Sequence, residues 1–403
     1  MTASRSLLPA RETRISIAIL TLCLLQLHGN AISAGLAEIG RAFPELSQTT
    51  VSLLLTVSNI AIVPGMLFSG MFANKFGARR LVLLGFGMAL TAGLLSFFLK
   101  DFYVLLAARA VTGLGVGLIA PFQTSMIPRY FEGYAAQRLF GLQSAGISIL
   151  GVFYGVVGGW LVSFGWNRAF LVYLVGFLGI AVTAAWLPDG KREIGGEATA
   201  HQPFRVTRIL GYITALHCVF AACMFQYAAG ISYLLEETGT GNASTAGTCI
   251  SLFSLGSFGA SLLYGRISRR FGIAVLPWGY LIAAVGMLVT GQVRGVAAAY
   301  VGSLLIGCAI GTIMPALSNK ITTTYRDSNP ALAASVFMGT FFIVQLLAAY
   351  VMDGVSRLPG GAAETGRFLY VTGLTVVLAV VSALTWRRFL GTPAEGTDAP
   401  TPV

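Results

Sequence analysis

Three ionisable side chains, those of Arg109, His28 and His217, lie inside apolar stretches long enough to span a bilayer. An ionisable group at such depth is costly, so a functional role is its first explanation. Arg109 suits pairing with a buried carboxylate, binding of an anionic substrate or assistance in proton transfer. A histidine gains and loses a proton near neutral pH, which makes His28 and His217 candidate proton carriers. The alternatives are that Arg109 extends to the surface near Asp101 and that the histidines only bond neighbouring helices.

Uncharged polar side chains in the same stretches complete the candidate lining of a cavity. Amide and phenol groups orient a small ligand through a few hydrogen bonds inside a mostly apolar site. The candidates of this kind are Asn30, Gln143, Gln226, Tyr227 and Gln345. No acidic residue is expected at the middle of an apolar stretch, since residues such as Glu38 and Asp353 fall near the ends. A neutral or anionic substrate is therefore favoured over a strongly cationic one.

The composition indicates that lipid is the main solvent of this chain. Hydrophobic residues make up 56% of the 403 residues and charged residues 10%, whereas a soluble domain carries about 25% charged residues. The net charge of +11 comes from single and paired basic residues between apolar stretches, a pattern that does not predict nucleic-acid binding. The five cysteines have no metal-ligand spacing, so neither a metal nor another cofactor is expected.

Twelve apolar runs follow one another along the chain, and we predict each to be a transmembrane helix. Backbone groups in lipid must bond within their own segment, which makes helices the expected form for runs of this length. The predicted N-terminal bundle (1–187) and C-terminal bundle (207–390) are joined by a polar cytoplasmic linker, 188–206, and followed by a disordered tail, 391–403. The runs cover residues 15–37, 50–73, 81–99, 103–127, 137–162, 167–187, 207–233, 246–266, 274–292, 296–318, 331–352 and 367–387.

The basic residues predict how the chain crosses the membrane. Lys and Arg are concentrated in alternate connections between the runs, for example 75–80 and 266–270. Cytoplasmic connections are enriched in Lys and Arg, so both termini are predicted to be cytoplasmic. We expect a multi-pass protein of the plasma (inner) membrane that acts as a monomer.

The two halves of the chain resemble each other in sequence. The segment GMFANKFG at 70–77 recurs as GRISRRFG at 265–272, an offset of 195 residues between Gly70 and Gly265. The spacing of Gly113, Gly117 and Pro121 recurs at Gly307, Gly311 and Pro315, at an offset of 194. Two matches at nearly one offset indicate an internal duplication. A duplicated membrane protein of this kind is expected to bind its ligand between the halves, near the middle of the bilayer.

The segment after the second run resembles the loop motif of the major facilitator superfamily, Gly-x-Leu-Ala-Asp-Arg-x-Gly-Arg-Arg. The matching residues are Gly70, Asn74, Gly77, Arg79 and Arg80. We expect Gly70 to allow close helix packing, Gly77 to form a tight turn, and the arginines to anchor the loop at the inner surface. In the family the motif's aspartate joins a charge network that latches one conformation. Asn74 carries no charge, so a weaker latch is expected here.

Two further motifs resemble the same family. Arg109 begins the run RAVTGLGVG, similar to the family's Arg-x-x-x-Gly-x-Gly-x-Gly, which is associated with proton-coupled members. The run from Gly141 to YGVVGG in the fifth helix partly matches the glycine-rich motif of antiporters, with Gly155 where that motif has proline. The glycines expected to pack helices closely are Gly113, Gly115, Gly117, Gly155, Gly158 and Gly159.

The resemblance covers about residues 15–390 and implies an all-α membrane protein with 12 transmembrane helices in two pseudo-symmetric six-helix bundles. In that family helices 1, 4, 7 and 10 line the central cavity, which ranks His28, Asn30, Arg109, His217 and Gln226 first among the candidates. The implied function is secondary transport of a small organic compound by alternating access, coupled to the proton gradient and directed outward, as in drug and metabolite efflux members. The alternative is uptake, by symport or exchange, of a small organic anion bound by Arg109. A further alternative is a non-transporting receptor; no nucleotide-binding loop or hydrolytic motif predicts an enzyme.

Overall fold

The computed structural model describes residues 11–131, 133–188, 208–271, 274–324 and 330–389. Every regular element in these ranges is a helix, and ten helical stretches are long and apolar enough to cross a membrane. The predicted tail and all but the first residue of the predicted linker fall outside the described residues. The helices are α1 Arg11–Thr21, α2 Gly29–Ala34, α3 Leu36–Ala42, α4 Gln48–Phe76, α5 Ala78–Leu95, α6 Phe102–Tyr130, α7 Gly133–Val162, a 3₁₀ helix Trp166–Leu174 continued by α8 Val175–Trp186, α9 Arg208–Glu237, α10 Ala243–Phe271, α11 Val275–Gln292, α12 Val296–Thr324, α13 Pro330–Ser356 and α14 Glu364–Phe389.

Successive long helices run in opposite directions, so their connections gather at two ends of the bundle. We call the end that holds residues 43–47, 238–242 and 357–363 the linker-distal end, and the opposite end the linker-proximal end. The shortest connection is the single residue Gly77 between α4 and α5, with φ 81° and ψ 151°. Only glycine adopts this backbone conformation without strain, which explains the tight turn predicted at this position.

The first predicted span, 15–37, is not one continuous helix. It is divided into α1, α2 and α3, with residues 22–28 between the first two. In this segment backbone N–H groups bond carbonyls three residues earlier, for example Leu22 N to Ile19 O at 3.2 Å and Gln26 N to Cys23 O at 3.0 Å. The carbonyls that this tighter winding releases accept side-chain hydrogen bonds instead, as broken helices in lipid require.

The glycines of the duplicated motif pack the same helix pair in each half. A methyl group added at Gly113 of α6 would overlap Ser58 O of α4, and one at Gly307 of α12 would overlap Phe253 O of α10. Gly117 and Gly311 face Ile62 O and Ser257 O in the same way. Positions 58 and 253, like 62 and 257, differ by the repeat offset. The duplication therefore preserves helix contacts as well as sequence.

The three glycines of the Arg109 motif serve two different contacts. Gly113 and Gly117 are four residues apart, so they share the face of α6 that meets α4. Gly115 points the other way, and an added methyl group there would lie 2.5 Å from Gly85 O of α5. Small residues let all three helices approach closely, which is the main source of helix association in lipid.

Candidate functional site

The two halves meet on an axis that relates one to the other. Three contacts at the linker-distal end join residues separated by the repeat offset of 195. A residue that contacts its own equivalent in a two-fold arrangement lies on the symmetry axis. The contacts are Ser33 Oγ donating to Ala228 O, Ala37 N–H donating to Ser232 Oγ at 3.3 Å, and Arg41 Nε donating to Glu236 Oε1 at 2.6 Å.

Arg41 carries the only one of these three contacts that is charged. Its Nη1 also donates to Glu38 Oε1 at 3.0 Å, and the hydrogen bond to Glu236 raises the pKa of the guanidinium above its usual value. The Arg41 side chain is 56% exposed, so the pair is worth about 0.2–1 kcal/mol. Arg41 and Glu236 are equivalent positions of the two halves that carry opposite charges, so their contact is attractive. Two residues of the same charge at this place would repel each other.

A second inter-half contact is formed by α7 and α10 and is built on glycine. An added methyl group at Gly155 would lie 2.7 Å from Gly247 O, and one at Gly159 would lie 2.7 Å from Ala243 O. Gly158 faces a different helix, because a methyl group there would overlap Ala31 of α2. Thus two glycines of the helix-5 motif join the halves, and the third packs the N-terminal half internally.

Asn30 lies at this contact, close to the middle of the bundle. Its Nδ2 is 3.4 Å from both Gly151 O of α7 and Ser254 Oγ of α10. Each of these residues is about a dozen positions from the linker-distal end of its own helical segment, or about 17 Å at 1.5 Å per residue. That is about half of the 30 Å hydrocarbon thickness of a bilayer. Among the sequence-predicted candidates, Asn30 is the one that bonds both halves at mid-depth.

The described conformation is closed at the linker-distal end. Among hydrogen bonds whose two partners are both described, those that join the halves lie in the linker-distal part of the bundle, from Asn30 outward. These bonds involve α2, α3 and α4 of the N-terminal half and α9, α10 and α14 of the C-terminal half, with α7 completing the set. Opening this end requires breaking them together.

Arg109 is buried inside the N-terminal half and does not extend to the surface. It is 1% exposed; its Nε donates to Leu54 O of α4 at 3.0 Å, and its Nη1 donates to the hydroxyl of Tyr173 in the 3₁₀ helix. Its Nη2 has no hydrogen-bond partner among the described residues, and no described carboxylate lies within 4.0 Å of the guanidinium. Arg109 thus joins helices of one half, and its Nη2 amino group is left for a further partner.

His28 uses both ring nitrogens within the N-terminal half. Nδ1 lies 2.6 Å from Leu25 O, and Nε2 lies 3.2 Å from Ser58 Oγ. A carbonyl oxygen only accepts, so Nδ1 carries the hydrogen, and Nε2 is left to bond the Ser58 hydroxyl. The ring also contacts Tyr173, at 5.5 Å between centroids. His28 therefore stands beside Arg109 and caps a carbonyl of the broken first span.

Gln143 belongs to a group that holds the broken segment 22–28. Its Nε2 donates to Gln123 O at 3.0 Å and contacts Cys23 Sγ at 3.4 Å. Gln123 Nε2 donates to Leu22 O at 2.9 Å, and the Tyr154 hydroxyl donates to Leu24 O. The described partners of Gln143 all belong to the N-terminal half, so Gln143 stabilises the broken first span and has no described hydrogen bond to the C-terminal half. Gln123, a polar residue inside a predicted span, performs this role directly, together with Tyr154, which was not among the candidates predicted from the sequence.

The candidates of the C-terminal half are less closely grouped. His217 is fully buried and its ring lies 4.1 Å from that of Phe337, while Tyr227 stacks on Phe253 at 5.3 Å. Gln226 Nε2 donates to Glu364 Oε2 at 2.8 Å. The side chains of Asn74 and Gln345, and the surroundings of Gly141, lie outside the described part of the chain.

Glu364 is an acidic residue that sequence reasoning missed. It begins α14, yet its side chain is buried, with the residue 3% exposed, and it bonds Gln48 of the other half as well as Gln226. Glu38 and Asp353, whose positions near span ends were noted in the sequence, remain partly exposed at 35% and 43% of the side chain. Glu364 was not predicted to be buried because it is the first residue of α14, and a residue at a helix start is usually expected at the surface.

The loop motif is placed at the linker-proximal end. Arg79 Nη2 donates to Ala184 O near the C-terminus of α8. This bond satisfies a terminal carbonyl, and the positive charge interacts favourably with the negative end of the helix dipole. Arg80 is exposed. Among the described residues an added methyl group at Gly70 would meet no atom within 4 Å. The close packing expected of Gly70 is therefore absent in this conformation.

Comparison with curated proteins yields relatives that include transporters and resistance proteins. A methylenomycin A resistance protein of Streptomyces coelicolor is 29% identical over 245 residues, which are 59% of this chain but only 47% of that protein. The 3-(3-hydroxy-phenyl)propionate transporter of Escherichia coli is 25% identical over 299 residues, 71% of each chain. A quinolone resistance protein of Staphylococcus aureus is 22% identical over 299 residues, 70% of this chain and 76% of that one.

Solved structures share the fold. A D-xylose–proton symporter superposes with a TM-score of 0.74 over 94% of this chain and 97% of that one, at 16% identity. A bacterial homologue of the lysosomal transporter Spinster superposes with a TM-score of 0.72 over 96% of this chain and 100% of that one, at 16% identity. The family model described as Major Facilitator Superfamily matches residues 14–349. The chain belongs to this superfamily of membrane transporters and is a multi-pass protein of the plasma membrane, not an enzyme.

Proposed function

We propose that this transporter exports a small organic compound in exchange for protons, by alternating access between two six-helix bundles. The observation that supports the proposal is the set of inter-half hydrogen bonds between described residues, which close the linker-distal end and extend inward to Asn30. A compound bound near Asn30 in this conformation is sealed from the linker-distal side. Breaking the contacts on the axis and along α7 and α10 would open that side.

The proposed arrangement has twelve spans with both termini in the cytoplasm. The interrupted α1–α3 segment and α13 are the two spans beyond the ten apolar stretches. Basic residues cluster at the linker-proximal end, including the pair Arg79 and Arg80, and basic connections favour the cytoplasmic side. The linker-distal end then faces outward, and the described conformation is closed to the outside.

The substrate is proposed to be neutral or anionic. Glu364, the buried carboxylate at the interface, is already paired with Arg367 at 2.7 Å. No uncompensated carboxylate among the described residues lies at mid-depth to attract a cation. The site around Asn30 offers amide and hydroxyl groups between two glycine-rich helices, which suits a compact compound with few polar atoms. The resistance proteins among the relatives support export of such a compound.

Uptake of a small organic anion is the second candidate. Two observations favour it: Arg109 Nη2 has no partner among the described residues, and a relative that aligns over 71% of its length is named as a phenylpropionate transporter. Against it, the guanidinium is enclosed by α4 and the 3₁₀ helix of one half and is 1% exposed. An anion would reach it only after these helices separate.

A thermal-shift screen of the purified protein separates the two candidates. The panel contains methylenomycin A, a quinolone, 3-(3-hydroxyphenyl)propionate and cationic dyes, each tested on the wild-type protein, Asn30→Ala and Arg109→Ala. A ligand raises the melting temperature in proportion to its occupancy. Export predicts that methylenomycin A or the quinolone produces a shift that Asn30→Ala removes and Arg109→Ala retains. A shift produced only by 3-(3-hydroxyphenyl)propionate and removed by Arg109→Ala would overturn it in favour of anion uptake.

A further inference from the structure

Four side chains form a cluster where α4, α9 and α14 meet at the linker-distal end. We call Gln48, Gln226, Glu364 and Arg367 the Glu364 cluster. The Glu364 carboxylate accepts hydrogen bonds from Gln226 Nε2 at 2.8 Å, from Arg367 Nη1 at 2.7 Å and from Gln48 Nε2. Gln48 in turn accepts from Arg367 Nη1 through Oε1 at 2.8 Å. Because Gln48 belongs to the N-terminal half and the other three residues to the C-terminal half, the Glu364 carboxylate forms one of the bridges between the two halves.

A glycine provides the space for this cluster. A methyl group added at Gly230 of α9 would lie 2.6 Å from Gln226 Nε2 and 2.8 Å from Glu364 Oε2. Gly230 is seven residues, about 10 Å, from the end of α9 at Glu237. The Glu364 carboxylate therefore lies well inside the bundle although its backbone is at the end of α14.

The duplication supplies an internal comparison for the cluster. A second junction, related to the first by the repeat offset of 195, brings α10, the 3₁₀ helix and α2 together in the same way. There Ala243 and Ala169, the residues equivalent to Gln48 and Glu364, form a buried apolar cluster with Val162 of α7, and Gly35 faces Val162. At the same offset Gln226, Gly230 and Arg367 correspond to Ala31, Gly35 and Val172.

This difference shows that the fold closes such a junction without charge. Burying an ion pair costs desolvation, and apolar residues of similar size are often at least as stabilising. Closure alone therefore does not explain why one of two equivalent junctions carries a carboxylate, an arginine and two amides. A carboxylate that gains and loses a proton at this junction explains the difference, because its bonds to the arginine and the amides then depend on pH.

Water can approach the cluster from the linker-distal side. A cavity of about 530 Å³ lies beside it and is lined by Glu237, Thr365, Gln292 and Arg294, among others. The Glu237 carboxylate accepts from the Glu364 backbone N–H at 2.7 Å, so the cavity and the cluster share a wall. Besides Arg367 within the cluster and Glu237 at the cavity, the ionisable group that faces Glu364 is Tyr233 of α9. The nearby pairs Arg41–Glu236 and Asp353–Arg357 are compensated at the surface.

We propose that Glu364 is a protonation site through which the pH of the linker-distal aqueous phase controls opening of the linker-distal end. A proton from the linker-distal aqueous phase binds a carboxylate oxygen of Glu364; no other bond forms or breaks covalently. The neutral acid loses its charge attraction to Arg367 and one of its acceptor sites, so the bridge through Gln48 weakens and the halves separate. The proposal rests on the proposed function, since opening of this end is a step of alternating access.

Hydrogen–deuterium exchange of the protein in lipid nanodiscs tests this without any substrate. Backbone exchange is measured for segments 36–50 and 228–240 at pH 5.5 and 7.5, corrected for the intrinsic pH dependence of exchange. The wild-type protein is expected to show about tenfold faster exchange at pH 5.5, the effect of losing roughly one charge-assisted hydrogen bond. Glu364→Gln should exchange fast at both pH values. Asp353→Asn, which alters an exposed carboxylate, should retain the wild-type response.

Equal exchange of the wild-type protein at both pH values, or a pH response that persists in Glu364→Gln, would overturn the proposal. If Glu364→Gln fails to fold, Gln48→Leu decides, because it leaves the Glu364–Arg367 pair intact. Fast, pH-independent exchange of segment 36–50 in that variant supports the bridge, and a retained pH response contradicts it. A protein that passes these tests but transports nothing would refute the proposed function and leave the switch standing.

Discussion

Replacement of Gly155 by alanine should shift the protein away from the conformation closed at the linker-distal end. The new methyl group would lie 2.7 Å from Gly247 O and 2.9 Å from Ser251 N, both backbone atoms of α10. A helix backbone cannot move aside locally, so the halves must separate along α7 and α10. Overpacking of this kind costs about 1–3 kcal/mol. Because the contact belongs to the closed conformation, the ratio of closed to open molecules should fall by about 5- to 150-fold.

Double electron–electron resonance spectroscopy measures the distance between two spin labels and can detect this separation of the halves. Labels at Lys100 and Arg294 report on the two halves, since both residues are exposed in connections of the linker-distal end. They are introduced as cysteines after the five native cysteines are replaced. Gly146→Ala is the matched control, because an added methyl group there meets no atom within 4 Å. Gly155→Ala should populate longer distances that the control lacks. Identical distributions in the two variants would refute the role given to this contact.

Three further changes have defined outcomes. Gln123→Ala removes the donor to a carbonyl of the broken first span and should lower the unfolding free energy by about 1–3 kcal/mol, measured by thermal melting, whereas Gln26→Ala, at an exposed position of the same span, should not. Arg109→Lys should lower the melting temperature and activity, because an ammonium cannot reproduce the two bonds that the planar guanidinium makes to separate helices. Arg41→Glu should loosen the linker-distal end in exchange measurements, and adding Glu236→Arg should restore it. Since the hydrogen bond to Glu236 raises the pKa of Arg41, the Arg41–Glu236 pair should persist to high pH. Added salt should weaken the pair, because it screens charges at the surface. Loss of the pair below pH 10 in exchange measurements would contradict this.

The features that could be predicted from the sequence depend on residue types and spacings within one segment of the chain. Apolar runs mark the long helices to within a few residues, and the glycine spacing marks the duplicated packing of α6 on α4 and α12 on α10. The single-residue turn at Gly77 follows from a residue type that tolerates positive φ. In each case the residue itself carries the physical reason.

Features that depend on distant partners could not be predicted. Segment 22–28 is rich in leucine, a strong helix former, and is interrupted because Gln123 and Tyr154 hold its carbonyls from other helices. Glu364 stands at a helix start, and only the space over Gly230 shows that its side chain turns inward. Likewise, the observed partners of Arg109, a carbonyl of α4 and the phenol of Tyr173, lie on other helices and have no signal in the sequence around Arg109.

The most direct test of proton-coupled export is the movement of protons driven by substrate in everted membrane vesicles. The lumen is acidified, and a compound that stabilises the purified protein in the thermal-shift screen is added outside while luminal pH is recorded with a trapped dye. Antiport predicts that the lumen becomes more alkaline as the compound accumulates, and that this change is lost in vesicles without the protein. Accumulation of the compound with no change in luminal pH, or with further acidification, would contradict proton-coupled export.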